Sequence, residues 1–165
     1  MAEGKVAVER SIEIAASPDA VWEKIGRFGD MSWHPAIFAT ENPGGNAVGA
    51  VRVLTLGDKG GPTVTEELAA HSDSDRGYAY RILEVDPAVL PVTNYLSEIR
   101  VEAAGDGSRL TWGSRFDPPP GVTAEAASET MAGVYTGGFE AVRKALEGLI
   151  PRTAHALGET SAKGS

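Results

Sequence analysis

Residues 92–116, VTNYLSEIRVEAAGDGSRLTWGSRF, contain two segments in which apolar and polar side chains alternate. This two-residue period is typical of β-strands with one buried face, and it predicts strands over 92–102 and 108–116. The segment Gly105-Asp106-Gly107 lies between them and predicts a tight hairpin turn. We therefore expect the two strands to pair antiparallel.

Four segments nearer the N-terminus carry the same period. They span residues 5–14, 48–56, 63–71 and 77–84. The connections between consecutive strands from residue 48 onward are too short for the crossovers that parallel strands require. We therefore expect a single antiparallel sheet.

Helical signals occur on both sides of the grouped strands. Ser17 is a good N-cap and Pro18 suits the first helical position, so a short helix is expected to follow. Residues 30–36 predict a second short helix, which Pro35 would stop. Apolar residues recur at intervals of three and four over 123–149, which predicts a long amphipathic helix.

The order of these elements indicates an α+β fold. Grouped strands followed by one long helix favour a helix packed on one face of the sheet. The 165 residues suit a single domain, which we place at residues 1–149. The small, polar residues of 150–165 predict a flexible C-terminal tail.

Charge and composition argue against several classes of partner. The chain has 15 basic and 23 acidic residues, a net charge of −8, so we expect no nucleic-acid binding, which depends on neutralising phosphates. No segment approaches the ~18 apolar residues of a membrane span, and the N-terminus lacks the apolar core of a signal peptide. We therefore predict a cytoplasmic protein that does not insert into membranes.

No motif predicts a metal or a cofactor. Cysteine is absent, and the three histidines lie far apart in the sequence without metal-ligand spacing. The glycine-rich segments 44–49 and 57–61 match neither the dinucleotide fingerprint nor the P-loop. The sequence also lacks a Gly-x-Ser-x-Gly elbow, so a hydrolase triad has no support.

Polar side chains share the predicted inward faces of the strands with apolar ones. They are Arg52, Glu66, Tyr78, Tyr80, Tyr95, Ser97 and Trp112, alongside Leu54 and Leu56. A dry core would not hold so many polar groups, because burying each one without a hydrogen bond is unfavourable. A mostly apolar ligand cavity with a few orienting polar groups would hold them.

Several short motifs identify a family. They are Ala16-Ser17-Pro18-Asp19-Ala20-Val21-Trp22, Gly49-Ala50-Val51-Arg52, Thr65-Glu66-Glu67-Leu68, Tyr78-Ala79-Tyr80 and Asn94-Tyr95-Leu96-Ser97. In this order they resemble the START/Bet v 1-like superfamily, whose bacterial members are called SRPBCC or polyketide cyclase/dehydrase-like proteins. The resemblance covers about residues 5–149. It implies a helix-grip fold, in which a curved seven-stranded antiparallel sheet wraps the long C-terminal helix around a hydrophobic cavity.

The middle of the chain is similar to the plant abscisic-acid receptors of that superfamily. This similarity implies that loop 57–62 is a gate and that loop 86–91 is a latch. The pocket positions that it implies are Glu66, Tyr80, Tyr95, Ser97 and Trp112. Tyr78 and Tyr80 also resemble a cavity-lining tyrosine pair in the pollen-allergen branch. The buried lysine of the receptors has no counterpart in residues 35–39, so hormone recognition does not carry over.

Three residues are candidates for acid–base chemistry. Arg52 and Glu66 lie on neighbouring predicted strands and could meet across the sheet, as a catalytic pair or as a buried structural ion pair. In the catalytic interpretation, Arg52 holds a carboxylate or enolate oxygen and Glu66 is the base. His34 could exchange protons near neutral pH, or it could cap or pack a short helix.

The remaining candidate residues are expected to contact a substrate. They are Tyr78, Tyr80, Tyr95, Ser97, Trp112, Leu54 and Leu56 on the strands, Trp33 at the cavity mouth, and Met131, Val134, Tyr135 and Gly138 on the long helix. We expect a monomer or homodimer that binds a small hydrophobic or aromatic, polyketide-like molecule and catalyses its cyclisation, aromatisation or dehydration. One alternative is non-catalytic binding or transport of a lipid or aromatic metabolite. Another is an accessory protein whose closed gate contacts a partner.

Overall fold

The computed structural model describes residues 4–148, which form seven strands and two helices. In chain order these are β1 (Val6–Ile14), α1 (Pro18–Ile25), β2 (Ile37–Glu41), β3 (Val51–Leu56), β4 (Thr63–Ser72), β5 (Gly77–Glu84), β6 (Thr93–Ala104), β7 (Gly107–Asp117) and α2 (Ala124–Glu147). The strands form one sheet in the order β1-β7-β6-β5-β4-β3-β2. Every neighbouring pair in it is antiparallel.

Helix α2 packs against the sheet through one side. The buried residues of that side are Ala127, Met131, Ala132, Tyr135, Gly138, Phe139 and Val142. At the start of the helix, the Thr123 hydroxyl accepts a hydrogen bond from the Ala126 N–H at 3.0 Å, as an N-cap should. The predicted α+β fold, with a seven-stranded antiparallel sheet against a long C-terminal helix, is confirmed.

Helix α1 begins where its sequence signal placed it. Ser17 Oγ accepts a hydrogen bond from the Ala20 N–H at 3.1 Å, and Pro18 occupies the first helical position. The helix buries Val21 and Ile25 against the core. Only this one short helix follows β1 in the described chain.

The second short helix, predicted over residues 30–36, is wrong because the chain forms turns there. Asp30 Oδ1 accepts hydrogen bonds from the Ser32 N–H at 3.0 Å and from the Ser32 hydroxyl at 2.6 Å. These local bonds give the backbone an alternative to a helix, and they hold the pKa of the Asp30 carboxyl below its ordinary value. Pro35 lacks the N–H that a helix would use, and β2 begins two residues later.

The sheet register brings the polar inward-facing residues close together. Arg52 pairs with Glu66 across β3 and β4, and Tyr80 pairs with Ser97 across β5 and β6. Ser97 also pairs with Ser114 on β7. A line of polar groups therefore crosses the middle strands on the face that α2 covers.

Two remaining observations concern the ends of the chain and the membrane. Within residues 4–148, neither helix is long and apolar enough to cross a membrane. The predicted C-terminal tail, residues 150–165, lies outside the described residues. The structure therefore does not test that prediction.

Candidate functional site

A cavity of about 150 Å³ lies between the sheet, helix α2 and the turns before β2. Ten residues predicted from the sequence line it: His34, Arg52, Leu54, Leu56, Glu66, Tyr80, Tyr95, Trp112, Met131 and Val134. The other lining residues are Met31, Ala36, Ile37, Val64, Ile82 and Leu90. Its walls are thus mostly apolar, with polar groups at the ends of a few side chains.

Five other candidate residues do not line the cavity. They are Trp33, Tyr78, Ser97, Tyr135 and Gly138. All five are buried, and four of them contact a residue that does line it, through hydrogen bonds or ring packing. The fifth, Gly138, lies on α2 directly beneath the rings of the turn before β2.

Arg52 and Glu66 form a buried ion pair at the wall of the cavity. Arg52 Nε donates to Glu66 Oε1 at 2.8 Å, and Arg52 Nη2 lies 2.7 Å from the same oxygen. Arg52 Nη1 donates to the Phe28 carbonyl oxygen at 2.8 Å. The guanidinium carbon also lies 4.0 Å from the centre of the Phe28 ring, a cation–π contact. Every nitrogen of Arg52 therefore already contacts a protein oxygen.

Only one of the two carboxylate oxygens of Glu66 contacts Arg52. Both contacts from Arg52 end on Oε1, and Oε2 has no hydrogen-bond partner among residues 4–148. Burial raises the pKa of the Glu66 carboxyl above its ordinary value, while the adjacent Arg52 charge opposes that shift. We assign Glu66 as a carboxylate at neutral pH, because a protonated Glu66 would leave the buried Arg52 charge without a counter-ion.

A network of hydroxyl groups lies behind the aromatic wall. Trp112 Nε1 donates to Tyr80 Oη at 3.1 Å and to Ser97 Oγ at 3.0 Å, and Ser97 Oγ donates to the Gly113 carbonyl oxygen at 2.8 Å. Burial raises the pKa of the Tyr80 phenol well above its ordinary value, so Tyr80 keeps its proton. This phenol is a neutral polar group at the cavity wall.

A second chain of hydroxyls starts at Tyr95. The Tyr135 hydroxyl donates to Ser114 Oγ at 2.6 Å, so it accepts the proton of Tyr95 across a contact of 2.7 Å. Burial also raises the pKa of the Tyr95 phenol well above its ordinary value. Tyr95 therefore presents its ring to the cavity and directs its proton into the protein.

Both ring nitrogens of His34 are occupied by backbone groups. Nε2 lies 2.8 Å from the Val134 carbonyl oxygen, and the Ala36 N–H donates to Nδ1 at 3.1 Å. A carbonyl can only accept, so Nε2 carries the proton and His34 is neutral. Burial lowers the pKa of its imidazole and so favours this form. His34 thus ties the turn before β2 to helix α2.

Gly138 allows this turn to approach α2 closely. A Cβ atom at Gly138 would lie 2.8 Å from His34 Cδ2, 3.0 Å from Trp33 Cζ3 and 3.2 Å from Trp112 Cζ3. All three distances are shorter than ordinary carbon contacts. The missing side chain therefore makes room for protein rings rather than for a ligand.

The two loops that the resemblance implies as gate and latch differ in their contact with the cavity. Leu90 of loop 86–91 lines it, and Asp86 shapes that loop by accepting hydrogen bonds from the N–H groups of Ala88 and Leu90. The Gly57 N–H donates to the Ala36 carbonyl oxygen at 2.9 Å, which ties the start of loop 57–62 to the turn before β2. Gating by these loops stays a prediction.

Six lining residues were not among the candidates, and their signals differ. Val64 and Ile82 lie on predicted strands, each on the same face as Glu66 or Tyr80, so the two-residue period could have found them. Met31 and Ala36 lie in turns, Leu90 lies in a loop, and Ile37 begins the short strand β2. No periodicity marks these four positions in the sequence.

The sequence from residue 5 to residue 147 matches a protein family described as polyketide cyclase / dehydrase and lipid transport. The chain belongs to this family. The family predicted from the short motifs is therefore confirmed. Among curated proteins, none matches this chain.

Several solved structures are similar to this chain. XoxI from Bacillus cereus is 34% identical, with a TM-score of 0.75 over 86% of this chain and 95% of its own. A putative uncharacterized protein from Bacillus thuringiensis is also 34% identical, with a TM-score of 0.73 over 84% of this chain and 97% of its own. Ara h 8.0201 is 17% identical, with a TM-score of 0.69 over 86% of this chain and 97% of its own, and shares the fold.

Proposed function

We propose that this chain binds a small, mostly apolar molecule in the cavity beneath α2, as a binding or transport protein. The cavity itself carries this proposal. Its volume of about 150 Å³ equals that of an engineered apolar cavity that binds benzene, so one six-membered ring is a suitable occupant. Side chains such as Leu54, Val64 and Met131 supply the apolar wall.

The hydrogen bonds already made by Arg52 and His34 favour binding over catalysis. Arg52 has no nitrogen without a protein contact, and His34 uses both ring nitrogens on the backbone. A general acid or base must reach the proton that it transfers. Neither residue can do so without breaking bonds that hold the turn before β2 and the loop after α1.

Native mass spectrometry and a cavity-filling variant test the binding proposal. We expect the purified protein to carry a small apolar adduct, and we expect Val64→Phe to abolish it because Val64 is buried in the cavity wall. Thr65→Phe is the matched control, since Thr65 points to the opposite face of β4. An adduct retained equally by both variants, or none from several expression hosts, would refute the proposal.

One observation favours a second candidate function, proton abstraction from a bound ketone. Glu66 Oε2 has no partner within residues 4–148, and burial raises the pKa of this carboxyl toward the range of a useful base. In this case Oε2 takes a proton from the carbon next to the carbonyl of an aromatic ketone, and an enolate forms. The family to which the chain belongs includes cyclases and dehydrases, and this is consistent with such chemistry.

Deuterium exchange tests this second candidate without knowledge of the natural substrate. Acetophenone in D₂O should exchange its methyl protons faster with the protein than without it, as followed by NMR. Glu66→Gln should remove the acceleration if that variant is folded by circular dichroism. Exchange that is equal with and without the native protein rules out Glu66 as a base for this class of ketone.

A further inference from the structure

The cavity contains one charged oxygen that the protein leaves unused. Glu66 Oε2 has no hydrogen-bond partner among the described residues, although the side chain is only 6% exposed and lines the cavity. Because Glu66 lines the cavity, its second carboxylate oxygen is an acceptor open to a bound molecule. A ligand with an O–H or N–H group would supply the missing donor.

Three nearby donor residues already contact other acceptors. The nitrogens of Arg52 contact Glu66 Oε1 and the Phe28 carbonyl oxygen, and the His34 Nε2 proton points to the Val134 carbonyl oxygen. The Tyr95 proton is directed to Tyr135. The unused acceptor is therefore a feature that a bound molecule can satisfy.

The same oxygen disfavours anionic ligands. Arg52 is neutralised by Glu66 at 2.7 Å, so the pair offers no net positive charge to an incoming carboxylate. A second carboxylate in this space would lie beside the free oxygen of Glu66, and two buried like charges repel strongly. Electrostatics thus select against acids and in favour of neutral molecules.

We propose that the cavity recognises neutral, single-ring molecules that carry an O–H or N–H donor, phenols being the simplest case, through a hydrogen bond to Glu66 Oε2. This inference rests on the proposed binding function and adds the chemical class of the ligand. The ring packs against the apolar wall, which includes Leu54, Met131 and Val134. We expect fatty acids and aromatic acids to bind more weakly than neutral molecules of the same size.

Two matched pairs of probes test the inference by calorimetric titration or by NMR shift titration of the full chain. Phenol and toluene have nearly the same size and differ in the donor, so phenol should bind at least about tenfold more tightly. Benzamide and benzoate differ mainly in charge, so benzamide should bind and benzoate should not. Equal binding of phenol and toluene, or of benzamide and benzoate, overturns the inference and leaves the binding function standing.

Variants then locate the donor recognition at Glu66. Glu66→Gln leaves the Arg52 charge buried without a counter-ion and is strongly destabilised for that reason, so the double variant Arg52→Met with Glu66→Leu is the stronger test. In the double variant, the preference for phenol over toluene should fall about tenfold. Ser108→Ala is the control, since it removes a buried hydroxyl bonded to the Ala16 carbonyl oxygen outside the cavity and should leave the preference unchanged.

Failure of the inference is distinguishable from failure of the binding function. If no single-ring probe binds but the purified protein carries an apolar adduct in native mass spectrometry, the inferred ligand class is wrong and the binding function stands. If no probe binds and no adduct is found, both the inferred ligand class and the binding function are refuted. An unchanged preference for phenol in the folded double variant overturns the assignment to Glu66.

Discussion

At the scale of single residues, three glycines of α2 have different surroundings. Gly138 lies under the rings of His34, Trp33 and Trp112, whereas a Cβ atom at Gly133 or Gly137 would meet nothing within 4 Å. Of these three glycines, only Gly138 is therefore required for close packing. Helix propensity alone would favour alanine at all three positions by roughly 1 kcal/mol.

This contrast gives a prediction about stability. Gly138→Ala should destabilise the protein by about 1–3 kcal/mol, because its methyl group would overlap the His34 and Trp33 rings. Gly133→Ala is the control and should stabilise by up to about 1 kcal/mol. Urea unfolding measures both variants. A Gly138→Ala protein as stable as Gly133→Ala would show that the turn before β2 moves away from α2 freely.

The buried imidazole of His34 predicts a dependence of stability on pH. Burial lowers the pKa of His34 in the folded state. Below pH 6.5, the ordinary pKa of histidine, the unfolded state therefore binds the proton more readily than the folded state does. The stability that His34 contributes is therefore lost as the pH falls from 6.5 toward the folded pKa. The free energy of unfolding should fall between pH 7 and pH 5 in the native protein and fall less in His34→Gln. Equal slopes for the two proteins would contradict this account.

At the scale of elements, the ion pair joins three parts of the fold. Arg52 lies on β3, Glu66 lies on β4, and the Phe28 carbonyl belongs to the segment after α1. Removing one member of a buried pair leaves the other charge unpaired, whereas removing both can be nearly neutral. The pair should therefore show strong coupling.

A double-mutant cycle measures this coupling. Arg52→Met and Glu66→Leu should each destabilise by about 3–5 kcal/mol, and the double variant Arg52→Met with Glu66→Leu should destabilise by much less than the sum. Arg81→Met with Glu67→Leu is a surface control, because that pair lies at 3.4 Å and is half-exposed. It should contribute under about 1 kcal/mol. Additive effects at Arg52 and Glu66 would mean that the two charges are stabilised independently.

The elements also show what the sequence could and could not predict. The two-residue period predicts six of the strands, Ser17 and Pro18 predict the start of α1, and the spacing of apolar residues predicts α2. The sequence predicts a helix over 30–36, but the bonds from Ser32 to Asp30 decide the conformation of this segment. Four cavity-lining residues from this region and from loop 86–91 were missed, since turns carry no periodic pattern. Parity along strands did place Arg52 and Glu66 on the same face.

At the scale of the whole molecule, occupation of the cavity should govern thermal stability. A ligand that binds only the folded state stabilises it by about 2.7 kcal/mol at a concentration of 100 times Kd. Phenol at that level should raise Tm by several degrees in the native protein and have little effect on Val64→Phe. Thr65→Phe should respond as the native protein does. A rise in Tm of the same size in Val64→Phe would place the stabilising site elsewhere.

The pairing of β1 with β7 also bears on the order in which the chain can fold during synthesis. Each strand from β3 to β7 can add to the strand made just before it, but Val6 must wait for Phe116. Helix α2, which forms one wall of the cavity, is made later still. A nascent chain on the ribosome therefore carries an unpaired first strand until β7 has emerged, and an open sheet until α2 has followed. No ligand can be enclosed before translation of the domain is essentially complete.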